Sequence, residues 1–271
     1  SISEGGLPMD YRLIALDLDG TLLNDDGVLS AYNTMILQRC QKAGAVVTLA
    51  TGRIHASALP FARSLALQDI PLITSHGAVI RCADGPIIAH YPLDETICWE
   101  IYRQVSPLHK DLRFYADDQL YLNDFSPASL AYAQHIGISP KPLPQDLTTL
   151  HPTKLALVDT PEVIAYYEAL FQATYGARIY MTKVSESFLE ISNPQATKGL
   201  ALAALTEALQ LSPGQVIAFG DSYNDLPMLQ YAGCAVAMGN ANAAVKAVCD
   251  HIADSNNHDG VGKFLAQLLA Q

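Results

Sequence analysis

Short apolar runs and longer mixed stretches alternate along most of this chain. YRLIALDL (residues 11–18), AVVTLAT (45–51) and PLITS (71–75) are continuous apolar runs rather than alternating ones. That pattern fits strands buried on both faces. Between the first two, Ser30 stands as the N-cap of a helix that ends at Gly44, and a second helical stretch runs from about 55 to 67. Strands alternating with helices predict a parallel sheet covered on both sides.

The rhythm changes near Gly77. AVIRC and PIIAHY flank an ADG turn and read as a hairpin. From about 94 to 188 the order is helix, the strands LRFYA and QLYLN around Asp117-Asp118, helix, TKLALVD, helix, ARIYMT. This reads as an antiparallel sheet with helices on one face. Alternation then returns, with a helix at 196–209, QVIAF (215–219), a helix at 224–231, CAVAM (234–238), a helix at 241–248 and a last helix from Gly260. The expected architecture is α/β: a parallel-sheet core over 9–90 and 189–271, interrupted by an α+β insertion over 91–188 large enough for its own core.

Composition narrows the function classes. Of 271 residues 50% are hydrophobic and 16% charged, with 27 acidic against 16 basic side chains and a formal charge of −11. That excess argues against nucleic-acid or anionic-membrane partners, which need a basic face. No apolar run approaches the roughly 18 residues of a membrane span. The five cysteines show no paired spacing, so a reducing, cytoplasmic setting is expected. SISEGGLP (1–8) lacks the charged and apolar regions of a signal peptide and reads as an expression remnant.

Candidate chemistry concentrates in Asp17-Leu18-Asp19-Gly20-Thr21, at the end of the first expected strand. Residues i and i+2 share a face, so both carboxylates would project from the carboxyl end of a parallel strand, where open α/β sheets place ligands. Adjacent carboxylates repel, and a cation or a shared proton must relieve them. QVIAF delivers Asp221, in GDSYND (220–225), to the same sheet edge. Gly, Asp, Ser and Asn also favour plain turns, so this segment alone is ambiguous. Lys198 at a helix start is by itself an ordinary solvated charge, and Thr51 an ordinary helix cap.

DLDGTL resembles the first motif of the haloacid dehalogenase-like phosphohydrolases, and the other motifs follow in order. They are Thr51-Gly52-Arg53, Lys198-Gly199 and Gly220–Asp225, with SHGAVI and LEISN flanking the insertion as in the Cof-type branch with a C2 cap. The resemblance covers residues 11–270. It implies a phosphatase in which Asp17 attacks phosphorus and Asp19 is the general acid and base. It implies Mg2+ held by the Asp17 carboxylate, the Asp19 carbonyl and Asp221, with Asp225 a weaker ligand or a holder of metal waters. Phosphate would be held by the Thr51 hydroxyl, Lys198, the Asn224 amide and the N–H groups of Leu18 and Gly52. Asp19 is expected to be protonated once the substrate is bound.

Other residues keep two readings. Arg53 supports the phosphate field or pairs with a carboxylate, and Asn193 and Asn240 approach the site or hold turns. His55, His76 and His258 lack ligand spacing and read as structural. Asp117-Asp118 reads as a solvated hairpin tip. Tyr115, Tyr121 and Tyr180 stack on a ligand ring or, by preference, pack the sheet. The expected substrate is a small phosphate ester, and the oligomeric state is unreadable. The alternatives are a sugar phosphomutase using the same side chains and a phosphate-binding regulatory protein without turnover.

Overall fold

The computed structural model describes residues 11–271, so the SISEGGLP segment lies outside the described residues. The chain opens with β1 (Leu13–Leu16), α1 (Ala31–Lys42), β2 (Val46–Leu49) and α2 (His55–Ser64). Ser30 caps α1 as expected, its side chain accepting from the Asn33 N–H. Then come β3 (Pro71–Thr74), β4 (Val79–Cys82) and β5 (Ile87–His90). β3 does not join the parallel sheet as a full strand. Among the described residues a single bridge, Ala50–Ile73, links it there, while its other edge pairs antiparallel with β4 after the chain doubles back. The reversal takes three successive residues with positive φ, Ser75, His76 and Gly77.

The inserted part contains α3 (Glu95–Val105), β6 (Leu112–Ala116), β7 (Gln119–Leu122), α4 (Pro127–His135), β8 (Lys141–Pro142), β9 (Lys154–Val158), α5 (Pro161–Tyr175), β10 (Tyr180–Ser185) and β11 (Phe188–Ser192). Its six strands run in the order β10-β11-β9-β6-β7-β8. The expected boundary at residue 188 therefore falls on the first residue of β11, a strand hydrogen-bonded inside this sheet through its whole length. The helices are not confined to one face. Phe114, Leu155, Leu189 and Ile191 pack with α3 and α5. Tyr115, Leu120, Leu122 and Ala156 turn the other way, against Ala133 and Ile136 around α4. Alternation along β6 and β9 thus feeds two apolar faces, and α4 sits on the face toward the core.

The return half supplies α6 (Lys198–Ala208), β12 (Val216–Gly220), α7 (Leu226–Tyr231), β13 (Cys234–Ala237), α8 (Ala243–Val248), β14 (His251–Ile252) and α9 (Gly260–Leu269). The parallel sheet runs β14-β13-β12-β1-β2. Its two faces explain the unbroken apolar strands. Ile14, Leu16, Val47, Leu49, Ile217 and Phe219 pack on the side of α1 and α9. Leu13, Ala15, Val216 and Ala218 pack on the side of α6 and α7. Each such buried aliphatic side chain contributes on the order of 1.5–3 kcal/mol. β1 and β12 lie side by side in register, and this brings Asp17 and Asp221 to one edge.

Candidate active site

Asp17 ends β1 in extended geometry (φ −68°, ψ 156°), and Gly20 turns the chain with φ 74°. Bonds from the Leu22 N–H to the Asp17 carbonyl (3.2 Å) and from the Leu23 N–H to the Leu18 carbonyl (3.0 Å) close this wide turn. A methyl group on Gly20 would lie 2.3 Å from Asp221 Oδ2. Glycine here answers both a backbone conformation disfavoured for other residues and the close approach of the Asp221 carboxylate.

Four charged side chains converge from three distant stretches. Lys198 Nζ donates to Asp17 Oδ1 at 2.9 Å and to Asp225 Oδ1 at 2.7 Å. The other Asp225 oxygen accepts from the N–H groups of Asp221 (2.9 Å) and Ser222 (3.2 Å). Thr21 donates its hydroxyl to Asp221 Oδ1 at 2.8 Å. Asp17, Lys198 and Asp225 are buried. Burial, followed by the Asp225 charge, pushes the Asp17 carboxyl well above the usual carboxylate range against the pull of Lys198. Burial and the Asp225 charge push Asp221 up to about 6.

Oxygen atoms of Asp17, Asp221 and Asp225 lie within 4.8 Å of one another. Two of the three carboxylates bond the Lys198 ammonium, and all three offer the hard oxygen donors that Mg2+ takes. The residues present therefore fit a divalent cation, which would relieve the repulsion that raises Asp17 and Asp221. Asp225 is the least free of the three, since both its oxygens already accept hydrogen bonds. One oxygen is engaged by Lys198 and the other by the N–H groups of the Asp221–Ser222 loop.

The Asp19 carboxylate stands outside this group. Its two oxygens accept from Arg53 Nε and Nη2, each at 2.7 Å. Burial pushes Asp19 up, but the Arg53 hydrogen bonds and charge outweigh it and hold the carboxyl below its usual value. This pairing favours an ionised Asp19, and of the two readings of Arg53 it displays the pairing one. His135, at the end of α4, reaches to 3.7 Å from Asp19 Oδ1.

A cavity of about 410 Å³ opens over these groups, with Asp17, Asp19, Thr51, Gly52, Asp221 and Asn224 on its core side. Tyr132, His135, Ile136, Val184, Phe188 and Glu190 form its cap side. The Tyr132 and Phe188 rings lie 5.6 Å apart with the Arg113 guanidinium against both. Thr51 Oγ1 accepts from the Arg53 N–H at 3.0 Å, and Asn224 Oδ1 accepts from the Ser222 hydroxyl at 2.9 Å. Lys198 sits behind Asp17, and the Leu18 side chain is buried in the core.

The sequence model of the haloacid dehalogenase-like hydrolases matches residues 14–265. The chain belongs to that family. Among curated relatives it is 29% identical over 262 residues to the 5-amino-6-(5-phospho-D-ribitylamino)uracil phosphatase YcsE of Bacillus subtilis, covering 95% of each chain. It is 28% identical to YitU, a phosphatase of the same name from that organism, covering 95% of this chain and 97% of the relative. The X-ray structure of TM0651 from Thermotoga maritima superposes with a TM-score of 0.82 at 29% identity, covering 95% of this chain and 97% of that one. A haloacid dehalogenase-like hydrolase of B. subtilis shares the fold with a TM-score of 0.87 at 24% identity, over 95% of this chain and 100% of that one. No helix among the described residues is long and apolar enough to cross a membrane.

Most other candidate residues of this hydrolase follow one of the readings open to them, and Asp118 departs from its own. Asn193 does not reach the cavity; it donates to the Pro92 carbonyl at 2.9 Å and ties the two linkers together. Asn240 does approach, donating to the Gly20 carbonyl at 2.8 Å. Tyr115 bonds Tyr132 through the hydroxyls at 3.0 Å and is buried, as a packing residue should be. Asp118 is no solvated tip, because it accepts from the Ala56 N–H at 2.9 Å, at the start of α2. His76 is structural in a specific way, bonded to Glu190 of the cap. Lys154 and Glu190, outside the sequence motifs, also pair at the cap–core boundary; the signal each carries is a charge inside a largely apolar strand, since buried charges need partners.

Proposed function

We propose that this protein is a Mg2+-dependent phosphatase of small phosphorylated metabolites, working through an aspartyl-phosphate on Asp17. The observation that carries the reading is the convergence of Asp17, Asp221 and Asp225 around Lys198 at the carboxyl edge of β1 and β12. The relatives' names agree in phosphate chemistry. Asp17 and Asp221, with the Asp19 carbonyl, would hold the cation. When bound it screens the repulsion between an anionic nucleophile and an anionic phosphate and polarises the phosphoryl oxygens.

Lys198 fixes the Asp17 carboxylate through Oδ1. An Asp17 oxygen attacks phosphorus, the ester P–O bond breaks, and its electron pair leaves on the alcohol oxygen. That oxygen needs a proton, which Asp19 supplies. Asp19 is anionic while Arg53 grips both its oxygens, so it must leave Arg53 and take up a proton, from solvent or from a protonated phosphate monoester, before it can give one to the leaving oxygen. Arg53 is then free to face the substrate phosphate. In the second half-reaction Asp19 takes a proton from the water that attacks phosphorus, and inorganic phosphate departs from Asp17. Thr51, Asn224 and the Gly52 N–H line the cavity as donors for the phosphoryl oxygens.

The cap wall of Tyr132, Phe188 and Ile136 gives the cavity an apolar, largely aromatic side. A phosphorylated polyol attached to a planar heterocycle fits that wall, and the names of two relatives put 5-amino-6-(5-phospho-D-ribitylamino)uracil first on a substrate panel. The test is release of phosphate from p-nitrophenyl phosphate and from the panel, with Mg2+ and with EDTA. Turnover should require the metal and vanish in Asp17→Asn. Hydrolysis that survives both changes would overturn the mechanism.

A further inference from the structure

Lys154, Glu190 and His76 are buried together where the cap meets the core, with relative exposures of 1%, 2% and 2%. Lys154 and Glu190 lie diagonally across the β9–β11 pair on one face of the cap sheet. His76 comes from the core, on the turn after β3. Lys154 Nζ donates to Glu190 Oε1 at 2.7 Å, and the His76 ring bonds the other carboxylate oxygen. A third bond crosses between the two parts of the molecule: Lys154 Nζ donates to the Gly52 carbonyl at 2.7 Å.

That bond completes a set. The Thr51 carbonyl accepts from the His76 N–H at 3.0 Å, and the Arg53 carbonyl accepts from the Ser75 N–H at 2.9 Å. All three carbonyls of the Thr51-Gly52-Arg53 segment are therefore anchored, and the middle anchor belongs to the cap. In a trans peptide the N–H points opposite to the preceding carbonyl. Holding the Thr51 carbonyl aims the Gly52 N–H, and holding the Gly52 carbonyl aims the Arg53 N–H. The latter donates to Thr51 Oγ1 at 3.0 Å, which leaves the hydroxyl proton of Thr51 to donate elsewhere. The His76 ring braces the same spot, since a Cβ on Gly52 would fall 2.4 Å from His76 Cε1.

We propose that Lys154, held by Glu190 and His76, is a positioning residue through which the seated cap completes the phosphate cradle of the core. The cap is then more than a lid. Its departure removes one of the three anchors of the Thr51–Arg53 segment, so anion affinity depends on closure. Lys154 acts through Gly52 without touching the substrate, and the inference rests on reading the cavity as a phosphate site.

The test is titration of inorganic phosphate, in the presence of Mg2+, into the wild type and the charge-balanced variant Lys154→Met/Glu190→Gln, with thermal melting of both. Methionine keeps the apolar stem, and glutamine keeps an acceptor for His76. The folded variant should bind phosphate about ten-fold or more weakly, the size expected for losing a charged hydrogen bond. Its loss in kcat/KM should be alike for aryl and alkyl phosphates, because the cradle and not the leaving group is altered. Phosphate affinity equal to that of the wild type would overturn the proposal. If the double variant does not fold, Glu190→Gln alone decides: it frees Lys154 from its carboxylate and should weaken phosphate binding, whereas unchanged binding again overturns the proposal. A wild type that binds phosphate but hydrolyses no ester counts against the phosphatase reading only, and one that binds no phosphate overturns both.

Discussion

Lys198→Met removes the one ammonium that contacts both Asp17 and Asp225 among the described residues. Methionine keeps the side-chain length, so the loss is of charge and two hydrogen bonds at 2.9 and 2.7 Å rather than of packing. Asp225 retains the two backbone N–H donors, but Asp17 has no other cationic partner among the described residues. Breaking a buried ion pair by removing one partner costs about 3–5 kcal/mol, and that is the expected destabilisation in EDTA at pH 8. The pH dependence has a definite sign. Burial works against the Lys198 charge, but Asp17 and Asp225 outweigh it and raise its pKa. Its contribution is therefore complete below the unfolded value of about 10.4 and constant through neutral pH. Asp17, already raised by burial and by Asp225, rises further without the lysine. The variant's deficit should thus be small near pH 4, where the carboxyl is protonated, and should grow as pH climbs through that raised range. Urea unfolding of both proteins at pH 4 and pH 8 reads this directly. A variant within about 1 kcal/mol of wild type at pH 8, the size of an exposed pair, would refute the buried arrangement on which the site depends.

Gly20→Ala places a methyl group 2.3 Å from Asp221 Oδ2 at a φ of 74°, so the apparent Mg2+ affinity in a kinetic titration should fall sharply while the far-UV spectrum is retained. Asp19→Asn should slow alkyl phosphates by about 10²–10⁴-fold, the usual contribution of a positioned acid, and aryl phosphates much less, because phenolates leave without a proton; equal losses would remove Asp19 from proton transfer. Glu190 is burdened by burial, but Lys154 and His76 hold its pKa down to about 2. Its stabilisation is present above the unfolded value of about 4.3 and lost as pH falls toward 2, so Glu190→Gln should flatten the acid limb of stability in that window. Asp118→Ala leaves the Ala56 N–H without its acceptor and should cost about 1 kcal/mol in thermal unfolding, with Asp118→Asn restoring most of it.

The core and the charged centre were legible because their causes are local. Apolar strands with no polar alternation announce a sheet covered twice, and LIAL and VIAFG do divide between the two apolar faces. DLDGT and GDSYND place carboxylates at strand ends, and parallel pairing of β1 with β12 in register brings them together. Strand partners are less local. PLITS reads as a strand, yet nothing in its five residues says that the reversal at Ser75–Gly77 pairs one of its edges with β4 along its length and leaves the other only the Ala50–Ile73 bridge to the parallel sheet. The same holds for LEISN, whose apolar alternation suits either sheet. It ends up in the cap because β9 and β10 offer it two antiparallel edges.

Side-chain partners across the cap–core boundary are the least legible, for a physical reason. A charge in an apolar strand signals only that a partner must exist, since burying it alone would be prohibitive. Lys154 in TKLALVD and Glu190 in FLEIS carry that signal, but their pairing is set by the diagonal of β9 and β11, and their contact with Gly52 by docking of two separately built sheets. Arg53 shows the same limit from the other side: the motif puts a guanidinium just past the end of β2, but only the fold shows it gripping Asp19 and holding that carboxyl below its usual value. Asp17 and Asp221 are therefore readable from spacing, because both follow the carboxyl ends of neighbouring parallel strands, whereas Lys198, at the start of α6, stands out only through the motif resemblance. The groups that set when the site is ready are read only from the assembled interface.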